Sequence, residues 1–375
     1  MAEHIADVLK VPAEQRTEFL RLARLAVEAQ RSTAINPEIN HPTASTPISA
    51  PRLSLPPIIN SLIGREAEHN TLCTLLLDEH NRLVTIVGAG GMGKTRLVLD
   101  VATSLASHFA DGVIFVPLAP MRSATHLPGA IADALQLAQG GDDPSEQIFT
   151  ALASRQLLLL LDNFEALLHQ EEDGAAAWIN QLLQQTAQVQ ILITSRERLR
   201  LRNERTFELG GLALPTTALP PEMADAVLLF LERAQQATPQ FRLDSSNKTA
   251  VARICQLVDG MPLGIELAAA WVNVLDPQEI ADELAHNIDF LARSNRDATP
   301  RHRSMRAVFD HSWALLNEDE RAILGRLATF RGGCTRDAAQ SVAEATLPRL
   351  AGLIDKSLVR RRQIESHMEL IRAIP

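Results

Sequence analysis

Residues 83–108 read LVTIV-GAGGMGKT-RLVLDVATSLASH, and this stretch decides how the rest of the chain is interpreted. Residues 83–87 are apolar with the composition of a buried strand, and residues 96–108 carry a helical apolar period. The octet between them, residues 88–95, holds glycines at 88, 90, 91 and 93. Such a loop can curl with positive φ and bring bare N–H groups close to phosphate oxygens. A helix starting near Lys94 adds free N–H groups and about +0.5 charge at its N-terminus. In that setting Gly88, Gly90, Gly91 and Gly93 cradle phosphate, and Lys94 is the point charge for the β and γ groups. The Thr95 hydroxyl is a ligand for Mg²⁺, and Arg96 joins the cofactor-binding set beside it. A glycine-rich turn that binds nothing would share the glycines but not the flanking strand and helix.

A phosphate loop needs an acid for its metal. Five leucines at 157–161 fit a central strand, and Asp162 follows at its carboxyl end, where open α/β sheets place ligands. An Asp there can also cap the next turn; the upstream loop favours the magnesium role, so Thr95 and Asp162 form the expected metal pair. Position 163 is Asn, which cannot act as a base, and Glu165 is the nearest substitute. Slow ATP hydrolysis is the expectation. A further apolar strand, VQILITS at 189–195, runs into Arg196, whose guanidinium fork suits sensing of a γ-phosphate. Arg196 also opens a basic run with Arg198, Arg200 and Arg202, so a surface role is the competing reading. Lys94, Asp162 and Arg196 are the catalytic candidates.

Around this centre, β-like segments at 83–87, 113–118, 157–161, 189–194 and 206–209 alternate with helical stretches at 96–108, 127–138, 145–153 and 175–186. That alternation specifies an α/β domain with a parallel sheet and helices on both faces, over 58–215. Residues 216–297 read as an all-α helical domain. Residues 298–375 read as helices followed by a β pair at 358–361 and 368–371, the order of a winged helix. Residues 1–31 read as two short helices, and 32–57 as a Ser/Thr/Pro-rich linker. Trp178, Trp271 and Trp313 fall on helical patterns and read as core.

Bulk composition narrows the partners. Apolar residues make up 46% and charged residues 22% of 375, an ordinary globular balance. The net charge of −9 argues against coating nucleic acid through overall charge, and the absence of tyrosine argues against base stacking as a binding mode. Cys73, Cys255 and Cys334 are far apart, which reads as reduced thiols in a cytoplasmic protein without zinc. No apolar run reaches the ~20 residues of a membrane span, so no membrane partner is expected.

Taken together, the ordered segments resemble the NB-ARC or AP-ATPase branch of the STAND P-loop NTPases, in its bacterial regulator form. LIGREAE at 62–68 is similar to the family's hhGRExE segment, GAGGMGKT at 88–95 to its Walker A loop, and LLLLLDNFE at 157–165 to its Walker B strand. ILITSRERL at 191–199 resembles the sensor strand and DGMPLGIELAAA at 259–270 the GLPLA segment. Residues 301–333 and LAGLIDKSLVRR at 350–361 resemble the winged-helix part. The resemblance, over residues 58–375, implies that Arg65 lies near the nucleotide, that Pro262 presents the helical domain to its adenine–ribose side, and that Arg196 senses phosphate. It also implies an ATP/ADP-binding signal switch with Mg²⁺, self-associating in the ATP state and belonging to a transcriptional regulator. A dedicated AAA-like ATPase of motor or loader type is the alternative, and DNA binding through the winged helix a third reading. Two departures stand out: Asn163, and His-Met-Glu at 367–369 where the plant-type MHD segment would fall. The triplet at 360–362 reads as a solvated edge, with phosphate contact as the competing role. Residues 4–24 resemble the tail of a helix-turn-helix domain, so contact with DNA is expected only through a reading helix outside this chain, which then reads as a fragment.

Overall fold

The computed structural model describes residues 52–57, 61–121, 123–137, 143–168, 174–292, 304–330, 333–364 and 368–373. The expected helices of 1–31, the linker up to residue 51, the basic segment 293–303 and His367 lie outside the described residues.

The nucleotide-domain half is built on strands β1 (Arg52–Ser54), β2 (Leu83–Val87), β3 (Gly112–Pro117), β4 (Leu158–Asp162), β5 (Gln190–Ser195) and β6 (Arg205–Glu208). They form one sheet in the order β1-β3-β4-β5-β2-β6, with every neighbouring pair parallel. Parallel neighbours need crossovers, and helices supply them: α1 (Glu66–Leu77), α2 (Lys94–Ser104), α3 (Leu127–Ala134), α4 (Pro144–Leu152), α5 (Glu165–Leu168) and α6 (Gly174–Gln185). Strand periodicity divides the side chains. Leu158 and Leu160 enter the core shared with α1 and α2, whereas Leu159 and Leu161 enter the core shared with α3, α4 and α6. Both faces are dry, which is why β2, β4 and β5 read as unbroken apolar runs.

Strand β1 corrects the linker reading at its C-terminal end. Arg52–Ser54 pairs with Gly112–Ile114 at the sheet edge. Three residues beside prolines carry too little periodicity to announce a strand, and edge position makes so short a strand sufficient. Helix α2 also ends earlier than its pattern suggested, at Ser104, before a 3₁₀ turn at Ala106–His108.

Helices α7 (Asp225–Ala237), α8 (Lys248–Leu257), α9 (Pro262–Ala269) and α10 (Pro277–His286) follow. Their apolar faces, with Phe230, Ile254, Ile265 and Ile280 all fully buried, join the same cluster that covers the α1/α2 face of the sheet. The helical region therefore shares its core with the sheet domain. Beyond it lie α11 (Met305–Ala314), α12 (Glu318–Leu327), α13 (Arg336–Ala343), α14 (Leu347–Asp355) and an antiparallel pair, β7 (Val359–Ile364) and β8 (Met368–Ala373). This C-terminal part has a core of its own, made by Ile323, Leu324, Leu327, Ala339, Leu350 and Leu353. Its helix starts are well specified: Asn317 and Glu320 close a capping box on α12, and Thr335 caps α13. Trp178 stacks on Phe149 and Trp271 on Phe290, whereas Trp313 stacks on the partly exposed Phe309 of α11.

Candidate functional site

Strand β2 delivers the loop of residues 88–93 at the carboxyl edge of the sheet, and α2 begins at Lys94 directly after it. Gly93 caps that helix at φ 84°, a left-handed conformation costly for any residue with a Cβ. Gly90 is required for a different reason. A Cβ there would stand 2.6 Å from Val308 Cγ1 of α11 and 2.9 Å from Arg196 Nη2. The loop is thus approached from outside the sheet domain.

Lys94 is buried, and its Nζ donates to the carbonyl oxygens of Gly88 (2.6 Å) and Ala89 (3.0 Å). Thr95 Oγ1 donates to Asp162 Oδ1 at 2.7 Å, and Thr194 Oγ1 donates to the same oxygen at 2.6 Å. The strand-end hydroxyl of Thr194 is therefore committed to Asp162 rather than aimed alongside Arg196. Burial raises the Asp162 carboxyl above its ordinary range; the two hydroxyl bonds and Lys94 pull it down, while Glu165 pushes it up. Asn163 follows with φ 65°, a conformation that Asn tolerates better than most residues. Its Nδ2 donates to Glu165 Oε1 at 3.2 Å.

Arg196 is almost wholly buried and sits where three elements meet. Its Nε faces Glu165 Oε1 at 3.3 Å, and its Nη1 donates to Ser312 Oγ (2.5 Å) and to the Val308 carbonyl (3.2 Å). Ser312 and Val308 belong to α11, more than a hundred residues away. Arg198 and Arg200 of the basic run also face the C-terminal part, whereas Arg202 is exposed. Arg198 lies 3.7 Å and Arg200 3.0 Å from Asp355 at the end of α14. Ser357 Oγ donates to the Arg196 carbonyl at 2.7 Å. Arg360 departs from the solvated-edge reading of 360–362: it is half-buried, 3.7 Å from Asp259 and 3.9 Å from Met92 Sδ in the glycine-rich loop, whereas Arg361 is exposed as that reading expects.

A cavity of about 340 Å³ opens beside the loop. Gly90, Gly91, Gly93, Lys94, Thr95 and Arg96 form one end, joined by Arg65, Arg196 and Pro262. Gly88 and Asp162 stand just behind that lining, through Lys94 and Thr95 respectively. Arg65 caps α1, and its Nη2 donates to the carbonyls of Gly210 (2.6 Å) and Met92 (3.3 Å), bracing the loop. The lining also includes the apolar Leu62, Ile63, Leu212, Leu229 and Leu263, the last against Gly91 of the loop, and the Arg233–Glu266 pair. Sequence reasoning missed Leu212, Leu229, Arg233, Glu266, Val308 and Ser312. Only the segment at 259–270 carried a signal, since Glu266 lies one helical turn beyond Pro262.

The residues present fit a polyphosphate and its magnesium ion. Arg96 Nη2 is buried with no hydrogen-bond partner among the described residues, in the wall that also presents the Lys94 ammonium. Thr95 and Asp162 already share one hydrogen bond, so both oxygens lie within reach of a single cation. Lys94 and the loop amides would hold phosphate oxygens, and Thr95 and Asp162 the metal.

The NACHT domain family matches residues 82–219. A Mycobacterium tuberculosis protein named as an HTH-type transcriptional regulator, Rv0890c, is 38% identical over 287 residues, which are 74% of this chain and 31% of that protein. This chain therefore spans about a third of that relative's length. An uncharacterized M. tuberculosis protein, Rv0894, is 35% identical over 310 residues, 80% of this chain and 75% of that protein. Among solved structures, the Walker-type ATPase paby2304 of Pyrococcus abyssi overlays 84% of this chain and 94% of its own at 13% identity, with a TM-score of 0.47. With the strand, glycine-rich loop and helix of residues 83–104, an acid ending β4, and a relative 35% identical of which the match covers 75%, the chain belongs to the STAND P-loop NTPases, in a bacterial group whose members include proteins named as transcriptional regulators.

Proposed function

We propose that this chain is the switch module of a bacterial signalling regulator, binding ADP and ATP with Mg²⁺ and changing the docking of its C-terminal part with the nucleotide bound. The C-terminal part, read as a winged helix over 298–375, meets the site through Arg196 and Arg360 and through Val308, while Met305 of α11 joins the core beneath the sheet. The observation that carries the reading is Arg196. One guanidinium faces Glu165 beside the phosphate loop and donates to Ser312 and Val308 of α11. Beyond α11 the C-terminal part keeps a separate core, between Leu316 and Val359, and its contacts with Arg196, Arg198 and Arg200 and through Ser357 and Arg360 have the polar character of a releasable interface. ADP would hold this arrangement and ATP would favour release and self-association, because a ligand shifts only those states it binds unequally.

Lys94, Asp162 and Arg196 are the groups we assign to the phosphates. Lys94 would neutralise charge, Asp162 and the Thr95 hydroxyl would hold the metal, and Arg196 would register the outermost phosphate. No step here needs fast turnover. Asn163 offers no base, and the substitute expected for it, Glu165, is engaged by Arg196 and Asn163. These contacts favour a slow ATPase over a motor. Regulation of transcription is the output suggested by the relatives' names, exerted through DNA-binding parts outside the described residues.

The test is to release and identify the nucleotide carried by freshly purified protein and to repeat it with Lys94→Ala. The expected result is ADP in the wild-type protein and an empty variant with an unchanged circular dichroism spectrum. A wild-type protein that neither carries nor binds adenine nucleotide overturns the reading.

A further inference from the structure

Helix α9 lays Pro262, Leu263 and Glu266 along one wall of the cavity. Its start is pinned to the phosphate loop. Leu263 N donates to the Gly91 carbonyl at 3.2 Å, and the Pro262 ring comes within 3.9 Å of where a Cβ on Gly93 would stand. Glu266 lies one turn further on, roughly 6 Å along the helix axis at 1.5 Å per residue. The spacing separates it from the phosphate end by about the length that links a diphosphate to its sugar.

An acid in this position calls for an explanation. A carboxylate repels phosphate, and most of the uncharged lining around it is apolar, so neither would favour it. It is nevertheless held in place. Arg233 of α7 donates from Nε to Glu266 Oε1 at 3.0 Å, while its Nη1 grips Glu232 at 3.0 Å. Glu266 Oε2 accepts no hydrogen bond from any described residue. Both side chains line the cavity; that of Arg233 is 14% exposed and that of Glu266 41%, so the arginine is the more tightly held partner and the carboxylate the more accessible one. A carboxylate with a spare acceptor beside a dinucleotide or nucleotide site is well suited to take the hydroxyl hydrogens of a ribose.

We propose that Glu266, oriented by Arg233, reads the ribose hydroxyls of the bound nucleotide and makes the site selective for ribonucleotides over deoxyribonucleotides. The proposal rests on the nucleotide reading given above and adds a determinant to it: Glu266 contacts the sugar and Arg233 is a positioning residue. An ion pair that merely joined α7 to α9 would treat ribose and deoxyribose ligands alike.

The experiment titrates the full chain and its Glu266→Gln variant with ADP, 2′-deoxy-ADP and 3′-deoxy-ADP by calorimetry. A hydrogen bond to a charged group sets the scale, so wild-type protein should bind at least one deoxy ligand about 10- to 100-fold more weakly than ADP. In Glu266→Gln the amide oxygen still accepts but carries no charge, so the ratio should fall severalfold. ADP bound by the wild type without discrimination, or a ratio undiminished in the variant, overturns the proposal and leaves the nucleotide reading standing. Failure of the wild type to bind ADP overturns both. The wild-type comparison needs no substitution, so misfolding of the variant cannot mask the result.

Discussion

Ser312→Ala isolates the link between the nucleotide site and α11. Ser312 is buried, and its hydroxyl accepts the shortest of the hydrogen bonds that tie Arg196 to that helix. A hydrogen bond to a charged group contributes roughly 1.5–3 kcal/mol. The lower end applies, because Arg196 keeps the Val308 carbonyl at 3.2 Å and Glu165 at 3.3 Å. About 1.5 kcal/mol corresponds to about a tenfold shift toward the undocked state. If docking of α11 over Gly90 retains the nucleotide, a fluorescent ADP analogue preloaded on the variant and chased with excess ADP should leave about tenfold faster than from wild type. Arg349→Ala is the control. It breaks the exposed Arg349–Asp319 pair at 2.7 Å in the same C-terminal part, a contact worth about 0–1 kcal/mol and remote from Arg196. Release from Ser312→Ala at the wild-type rate, or equal acceleration in the control, would refute the coupling.

Two further outcomes follow from the site and its surroundings. Asp162→Asn keeps the shape of a buried acceptor for Thr95 and Thr194 but removes the charge, so added Mg²⁺ should no longer strengthen ATP binding; an unchanged Mg²⁺ dependence in paired titrations would assign the metal elsewhere. Asp225, at the start of α7, has its carboxyl raised by burial and by Glu66 and Glu68, with Arg65 opposing. Between the ordinary carboxyl value of about 3.9 and this raised value the folded chain binds more protons than the unfolded one, so stability falls as pH rises through that window and is flat above it. Thermal melts of Asp225→Asn across the same window should lack this slope, and a slope equal to that of wild type would contradict the assignment.

What could be read from residues alone was whatever is local. The strand, loop and helix of residues 83–104 announce themselves because a buried parallel strand needs consecutive apolar residues and a phosphate loop needs glycines at fixed offsets. Asp162 was legible for the same reason, as an acid ending an unbroken apolar strand. Tertiary structure alone decided which distant groups complete the site. Strand β5 lies between β2 and β4, which sets Thr194 on Asp162, and no periodicity encodes that order. Arg65 reaches the Gly210 carbonyl across 145 positions, and Arg196 reaches Ser312 across 116. The sequence could name Arg196 a candidate but could not say that its fork is shared between Glu165 and α11. Helix packing likewise brings Arg233 and Glu266 together from two amphipathic patterns that each look complete alone. The physical reason is the same throughout. Backbone conformation and burial pattern follow short-range rules, whereas the partner of a buried charge is set by whichever element the whole fold packs against it.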